Sequence, residues 1–233
     1  MKRKLSLYLL HTTACITNAQ KRALAIHTYV VCNLKKMKIR LIFFISITIL
    51  LVSCGEGYEK TNGKWTWVLH SEAGKHIREM NVDNPTFEIL DFKKYAKDKN
   101  NVFMEGVKID KADPNTFEII TENGYSKDIN NVYLDNDIVI FANPKTFKII
   151  EWPYSKDDKR IYNGNLPMEV DNIVEFEITK PGGGKTSSMK SFFIEWHKEY
   201  KWLDTLNVKG VIVGEDAEAK TKTEKYKGFK KIE

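Results

Sequence analysis

Tyr95-Ala-Lys-Asp-Lys-Asn-Asn-Val-Phe103 returns 30 residues later as Tyr125-Ser-Lys-Asp-Ile-Asn-Asn-Val-Tyr133, and after a further 29 residues as the altered copy Tyr154-Ser-Lys-Asp-Asp-Lys-Arg-Ile-Tyr162. A second marker has the same period, because Pro85, Pro114 and Pro144 are each followed two residues later by phenylalanine. Two independent markers with one spacing indicate repeat architecture. The sequence therefore predicts three repeats of about 30 residues between Pro85 and Met168.

Turn residues divide each repeat into short strands. The first turn contains Asn100 and Asn101, or Asn130 and Asn131, which we expect to adopt the left-handed backbone conformation. A second turn, in which Gly106 and Gly164 are structural, is predicted at Glu105-Gly106, Asp135-Asn136 and Asn163-Gly164. Each repeat is therefore predicted to be a three-stranded antiparallel meander. The predicted fold class is mainly β, with the repeats forming an array that has degenerate ends.

The domain boundaries follow from where the repeat pattern fades. Residues 65–178 are predicted to form the β-repeat domain, which begins with a degenerate half-repeat. Residues 179–214 are predicted to form a helix and strand region, and residues 215–233 a charged, frayed tail. Apolar residues from Ser188 to Leu203 fit both one face of a helix and the alternation of a strand. The length of this segment favours a helix, whereas its enrichment in aromatic residues favours a strand. We predict a helix packed on the end of the sheet.

A lipid anchor is predicted at Cys54. Basic residues from Lys35 to Arg40 precede the uncharged residues 41–52, a run too short to span a bilayer as a helix. Leu51-Val-Ser-Cys54 resembles the bacterial lipobox, which implies a diacylglyceryl thioether on Cys54 and cleavage just before it. An ordinary apolar helix with an unmodified cysteine is the alternative. We predict residues 37–53 to be the signal peptide, 54–64 a tether, and 1–36 to precede the natural start.

The distribution of charge argues against a nucleic-acid partner. The formal net charge is +6, but residues 1–53 hold nine of the 37 Lys and Arg and none of the 31 Asp and Glu. The remaining chain is mildly acidic. It therefore has no general electrostatic attraction to a phosphate backbone.

Residue types that carry chemistry do not form a recognisable catalytic pattern. Asp98, Asn100 and Asn101 could offer oxygens to calcium, but a structural turn explains the same residues and no spaced glutamate completes a calcium loop. Pro181-Gly-Gly-Gly-Lys-Thr186 lacks the first glycine of a phosphate-binding loop. The histidines are not at ligand spacing, and an acylated Cys54 could not bind a metal. We therefore predict no metal site, no cofactor and no catalytic residues.

Aromatic side chains recur at the repeat period in two stripes. One stripe is Tyr95, Tyr125 and Tyr154, and the other is Phe103, Tyr133 and Tyr162. The stripes could form the core and the contacts between repeats, or an exposed aromatic face that binds a glycan or a protein. Both interpretations are open at the level of sequence.

The repeated motif resembles the DKNYY family, whose members are bacterial exported and often lipid-anchored repeat proteins of unassigned function. The resemblance covers about Val82 to Phe176 and rests on Lys97–Phe103, Lys127–Tyr133 and the altered copy Lys156–Tyr162. It implies no substrate, cofactor or catalytic residue. Together with the lipobox, it implies a place in the bacterial cell envelope, without specifying inner membrane, outer membrane or cell surface.

The predicted function is that of a lipid-anchored binding module without enzymatic activity. A repeat array places equivalent side chains at a fixed pitch, which suits extended contact better than one asymmetric catalytic centre. The expected partners are the membrane, through the anchor, and an envelope protein or glycan. The alternative is an envelope-acting enzyme, such as a hydrolase, whose site is too dispersed to recognise.

Overall fold

A computed structural model describes residues 56–232 of the chain. The segments predicted as an upstream start (1–36) and a signal peptide (37–53), together with the lipidation site Cys54, lie outside the described residues. The described part is mainly β and is built from small antiparallel sheets, with two short helices near its C-terminal end. The predicted fold class is therefore confirmed.

The first sheet is a meander of β1 (Gly57–Thr61), β2 (Lys64–Ser71) and β3 (Gly74–Glu79). The tether predicted at 54–64 is wrong from Gly57 onward, because this segment pairs with β2. Contacts of Tyr58 with the first repeat hold this segment in place. Its ring packs against Phe87 at 5.7 Å between centroids, and its hydroxyl donates to the carbonyl of Lys94 at 2.9 Å.

Three four-stranded antiparallel sheets follow, one for each predicted repeat. The first comprises β4 (Glu88–Ile89), β5 (Tyr95–Lys97), β6 (Val102–Met104) and β7 (Val107–Lys108). The second comprises β8 (Glu118–Ile119), β9 (Tyr125–Lys127), β10 (Val132–Leu134) and β11 (Asp137–Ile138). The third comprises β12 (Lys148–Glu151), β13 (Tyr154–Lys156), β14 (Ile161–Asn163) and β15 (Leu166–Met168). Each predicted three-stranded meander gains a strand, because the segment after each Pro-x-Phe pairs with the strand that follows it.

A fourth sheet of the same design closes the described part of the chain. Its strands are β16 (Glu177–Lys180), β19 (Glu218–Lys220), β20 (Lys225–Lys227) and β21 (Lys230–Lys231). The frayed tail predicted at 215–233 is therefore wrong for residues 218–231. Tyr226 and Phe229 are buried in the same cluster as Tyr154, and that burial orders the segment.

Residues 181–217 separate the first and second strands of this fourth repeat, and we call them the insert. The insert contains β17 (Thr186–Met189), helix α1 (Lys190–Trp196), a 3-10 helix (Lys198–Thr205) and β18 (Gly210–Val213), with β17 paired to β18. The predicted helix is confirmed from Lys190. Ser188 and Met189 belong to a strand instead, and the helix breaks at His197, whose φ and ψ of −119° and 73° are not helical.

The turn asparagines do not adopt the predicted backbone conformation. Positive φ occurs instead in the second turn of each repeat, at Glu105 (51°), Gly106 (73°), Asp135 (53°) and Gly164 (59°). This outcome confirms Gly106 and Gly164 as turn residues. The positive φ predicted for Asn100, Asn101, Asn130 and Asn131 is therefore wrong, but these residues do lie in the first turn, as predicted. Asn163 also lies in β14 rather than in the turn.

Candidate functional site

The two aromatic stripes do not form a surface. Their six side chains, Tyr95, Tyr125, Tyr154, Phe103, Tyr133 and Tyr162, are at most 4% exposed. The interpretation of these residues as a binding face is therefore wrong, and the packing interpretation is right. Burial raises the pKa of each of the tyrosines in the two stripes above its ordinary value.

The buried rings form a ladder that joins one repeat to the next. Phe147 lies between Tyr125 of the preceding repeat, at 5.6 Å between centroids, and Tyr162 of its own repeat, at 6.2 Å. Phe117 and Phe176 hold the equivalent places in the second and fourth repeats. Because each phenylalanine contacts two repeats, these rings join each repeat to the next, within three buried clusters.

The repeated aspartate holds the first turn. Asp128 is buried and accepts four hydrogen bonds. One carboxylate oxygen accepts from the backbone N–H groups of Asn130 and Asn131, each at 2.7 Å. The other accepts from the N–H of Asp113 at 2.9 Å and the hydroxyl of Tyr133 at 2.8 Å. These oxygens are occupied within the fold, so the turn explains the aspartate without a calcium ion.

Asp157 repeats this arrangement in the third repeat. Burial by itself would raise the pKa of Asp157, but hydrogen bonds from the Tyr162 hydroxyl and from three backbone N–H groups hold the pKa below its ordinary value. The Tyr162 hydroxyl lies 2.7 Å from the carboxylate. The predicted motif residues are therefore brought together, but as a structural element rather than a site.

The insert is attached to the third repeat by two buried asparagines. The side chain of Asn163 donates to the carbonyl of Gly214 and accepts from its N–H, both at 2.8 Å. The side-chain oxygen of Asn165 accepts from the N–H of Ile212 at 2.8 Å, and its amide donates to the carbonyl of Gly210 at 3.1 Å. These amides act as strand partners for β18, so the insert is fixed to the array.

A lysine ties the glycine-rich loop of the insert to the second repeat. Lys185, in the stretch that superficially suggested a phosphate loop, lies 2.9 Å from the carboxylate of Asp135. Its ammonium also donates to the carbonyl of Asn123 at 3.2 Å. The loop therefore has a structural role in these contacts, and its lysine is already paired.

An apolar patch is exposed at α1, made of Phe192 and Trp196 on the helix and of Met189, the last residue of β17, directly before it. Met189, Phe192 and Trp196 are 71%, 55% and 64% exposed, respectively. The rings of Phe192 and Trp196 are 6.1 Å apart between centroids, with an interplanar angle of 40°. Phe193, the next residue after Phe192 in the helix, is buried. Large apolar side chains clustered on one exposed helix face are typical of an interaction site.

Sequence reasoning identified these side chains but assigned them to the wrong environment. The helical pattern grouped Met189, Phe192 and Trp196 with Phe193 and Leu203 as one packed face. In the structure Phe193 and Leu203 are buried, whereas the other three point outward. The break at His197 changes the direction of the chain, and a single helical period does not register such a break.

A family model described as the DKNYY family matches residues 68–190 of the sequence. The chain belongs to the DKNYY family. The match spans the first three repeats and ends at Lys190, the first residue of α1. In this DKNYY protein the repeated aspartate and aromatic positions are buried turn and ladder residues, so the shared motif specifies the scaffold. No curated protein and no solved structure gave a match to the sequence.

The charged side chains of the described part bear on whether this DKNYY protein has a metal or ligand site. Among residues 56–232, no three His, Cys, Asp or Glu side chains are grouped so as to hold a metal ion. One open cleft in the fourth repeat is lined by lysines, glutamates and threonines, and its Lys220 pairs with Glu177 at 3.4 Å. Over the same residues, the structure contains no helix long and apolar enough to cross a membrane.

His197 sits in an aromatic enclosure behind the apolar patch. The rings of Phe193, Trp196 and Phe229 lie 4.4, 5.2 and 5.3 Å from the imidazole. Burial, assisted by the charge of Lys230, lowers the pKa of His197 below its ordinary value. The imidazole therefore favours its neutral form and serves as a packing residue at the junction of the two helices.

Proposed function

We propose that this DKNYY protein is a lipid-anchored protein of the cell envelope that binds another protein through the apolar patch of α1. In this proposal the repeat array is a rigid support, and the insert carries the contact surface. The lipobox supports the anchor at Cys54. The exposure of Met189, Phe192 and Trp196 is the observation that carries the binding role.

The spacing of the patch favours a protein partner with an apolar groove. Phe192 and Trp196 stand at positions i and i+4 of α1, a spacing by which a helix presents anchor side chains on one face to a groove. Large aromatic side chains at such positions commonly provide most of the binding free energy. Met189, directly before α1, adds an exposed and conformationally adaptable apolar side chain.

The chemistry of the patch is less suited to a glycan. Sugar hydroxyl groups need hydrogen-bond partners when they leave water, whereas the centre of the patch is formed by apolar side chains. The two rings are also tilted by 40° with respect to each other, so they do not provide one flat stacking surface. We therefore assign the patch to a protein ligand.

The attachment of the insert to the repeat array makes the patch suitable for binding a protein. Asn163 and Asn165 bind the backbone of β18, and Phe193 and Leu203 are buried in the cluster that contains Tyr154. A contact surface that is ordered before binding loses less conformational entropy when the partner arrives. The array thus presents the patch in a defined conformation.

Site-specific photo-crosslinking in the producing bacterium tests this proposal. A photoreactive residue in place of Trp196 should capture a discrete protein, whereas one in place of Val174, which is 88% exposed in the fourth repeat, should not. Binding of the captured protein to the purified parent must then be reproduced. Capture at both positions alike, or binding of a glycan instead, would contradict the assignment.

A separate experiment tests the anchor. Labelled palmitate should be incorporated into the parent protein and not into Cys54→Ala, because the acyl chains attach to that cysteine. The variant should also leave the membrane fraction. Label that persists in Cys54→Ala would show that the anchor lies elsewhere.

A further inference from the structure

The β2–β3 hairpin extends beyond the start of β1. Gly57, the first residue of β1, is opposite Val68 in the register of the sheet. β2 continues for three more residues, to Ser71, and β3 returns from Gly74. At about 3.3 Å per residue, the hairpin projects by roughly 10 Å past Gly57. Because β1 and β2 are antiparallel, this projection lies on the side from which the chain enters β1.

The chain that leads to β1 has the same reach. Cys54 precedes Gly57 by three residues, so a fully extended connection spans at most about 11 Å. The acyl chains proposed at Cys54 would hold the start of β1 within this distance of the bilayer. A connection that continued the line of β1 would place Cys54 about as far beyond Gly57 as the hairpin tip.

We propose that the tip of the β2–β3 hairpin, residues 70–76, contacts the phospholipid headgroups and that the domain is held directly against the membrane surface. This inference rests on the proposed lipid anchor. It makes the tip a second, non-covalent contact with the bilayer.

The composition of the tip fits the headgroup layer rather than the hydrocarbon core. Its sequence is His70-Ser-Glu-Ala-Gly-Lys-His76, and all of these residues are exposed. Lys75 can interact with phosphate groups, although in the structure it also pairs with Glu59 at 3.2 Å. Small and polar side chains at the turn can enter the hydrated headgroup region without the cost of burying a charge in hydrocarbon.

The hairpin is fastened to the first repeat, so its direction is fixed. Arg78 donates to the carbonyl of Glu105 at 2.7 Å, and the N–H of Gly106 donates to the Tyr58 hydroxyl at 3.2 Å. Trp67 lies so close to Gly106 that a Cβ on this glycine would come within 2.5 Å of the Trp67 Cβ. These contacts fix the base of the hairpin to the array and so set the direction in which the tip projects.

The test uses the full chain, produced in a bacterium and purified from its membranes. Single cysteines are introduced as Ala73→Cys at the tip and Val174→Cys in the fourth repeat, and each is labelled with an environment-sensitive fluorophore. The labelled proteins are reconstituted into phosphatidylcholine–phosphatidylglycerol vesicles that contain headgroup-nitroxide lipids. We expect the nitroxide to quench the probe at 73 at least twofold more than the probe at 174.

A spacer variant separates this inference from the anchor. Insertion of 12 Gly and Ser residues between Glu56 and Gly57 should remove the excess quenching at 73 while the protein still floats with the vesicles. Equal quenching at both positions in floating protein would overturn the headgroup contact and leave the anchor intact. Failure of the lipobox-containing parent to float would overturn both.

Discussion

Asn165 forms two hydrogen bonds with the backbone of Ile212, across 47 residues of sequence. The backbone N–H of Asn165 donates to the Ile212 carbonyl at 3.0 Å, and its side-chain oxygen accepts from the Ile212 N–H at 2.8 Å. The asparagine thereby takes the place of a strand partner for β18. The insert that carries the apolar patch is joined to the repeat array at this point.

Replacement of Asn165 by alanine should loosen the insert. The change leaves the buried Ile212 N–H without its acceptor, so we expect a loss of about 2–3 kcal/mol in the free energy of unfolding. Hydrogen exchange should accelerate at the Ile212 amide.

Asn136→Ala is the matched control, because Asn136 has the equivalent place in the second repeat and its side-chain oxygen has no partner in the described part. A change of less than about 0.5 kcal/mol is expected for it. Equal effects of the two substitutions would contradict the role of Asn165.

The turn aspartate should contribute more to stability than any single bond that it accepts. Asp128→Ala removes the acceptor of four hydrogen bonds, and we expect a loss of about 2–4 kcal/mol in chemical denaturation. Tyr133→Phe removes one of the four and should cost about 1 kcal/mol. Phe103 holds the equivalent position in the first repeat, so the ring itself is tolerated there. A larger effect for Tyr133→Phe than for Asp128→Ala would be inconsistent with this account.

Gly164 should not tolerate a side chain. Its φ is +59°, and a Cβ would lie 1.8 Å from the carbonyl oxygen of Ile212. We expect Gly164→Ala to lower the free energy of unfolding by more than about 2 kcal/mol, because backbone strain and a clash with β18 combine. Gly183→Ala is the control, since a Cβ there would have nothing within 4 Å. Thermal unfolding of the two variants and the parent measures this difference. A Gly164→Ala variant as stable as the parent would show that the contact with β18 is looser than described.

Part of this architecture could be predicted from sequence. The spacing of Pro85, Pro114 and Pro144 indicated the repeats because one structural unit recurs with one length. The fourth repeat could not be found in this way. Its second strand follows the insert, Glu218 stands where the other repeats have tyrosine, and Thr221 replaces the turn aspartate. The sequence feature that still indicates the fourth repeat is Tyr226-Lys-Gly228, which matches Tyr162-Asn-Gly164.

Local rules failed where a distant or neighbouring side chain determined the backbone. The turn asparagines were expected at positive φ, but the carboxylate of Asp98 accepts the N–H groups of Asn100 and Asn101 at 2.8 and 2.7 Å. This side-chain bond shapes the turn without a left-handed residue. A substitution such as Asn100→Val should therefore lower the free energy of unfolding by less than it would if residue 100 had a positive φ.

The stability of the protein should depend on the titration of His197. Burial and the charge of Lys230 lower the pKa of His197 in the folded state, against the opposing charges of Glu199 and Glu215. The unfolded chain therefore binds more protons near its ordinary pKa of about 6.5. The resulting stability is fully present above that value and is lost as the pH falls through the lower pKa of the folded state.

Chemical denaturation between pH 7.5 and about 5 measures this effect. The free energy of unfolding of the parent should decrease as the pH is lowered through this range. The decrease should be smaller in His197→Gln. The exposed and non-titrating Val174 provides the control, and Val174→Ala should keep the parental pH dependence. An unchanged pH dependence in His197→Gln would contradict the role assigned to the aromatic enclosure.

The dissociation constant for the protein captured at position 196 tests the binding role of α1 most directly. Phe192→Ala/Trp196→Ala should weaken binding about 100-fold, because each truncation of a large aromatic contact removes roughly 1.5 kcal/mol or more. The variant should melt like the parent, since both side chains are more than half exposed, and Val174→Ala should bind within about twofold of the parent. If the folded double variant binds as tightly as the parent, the apolar patch is not the site of recognition.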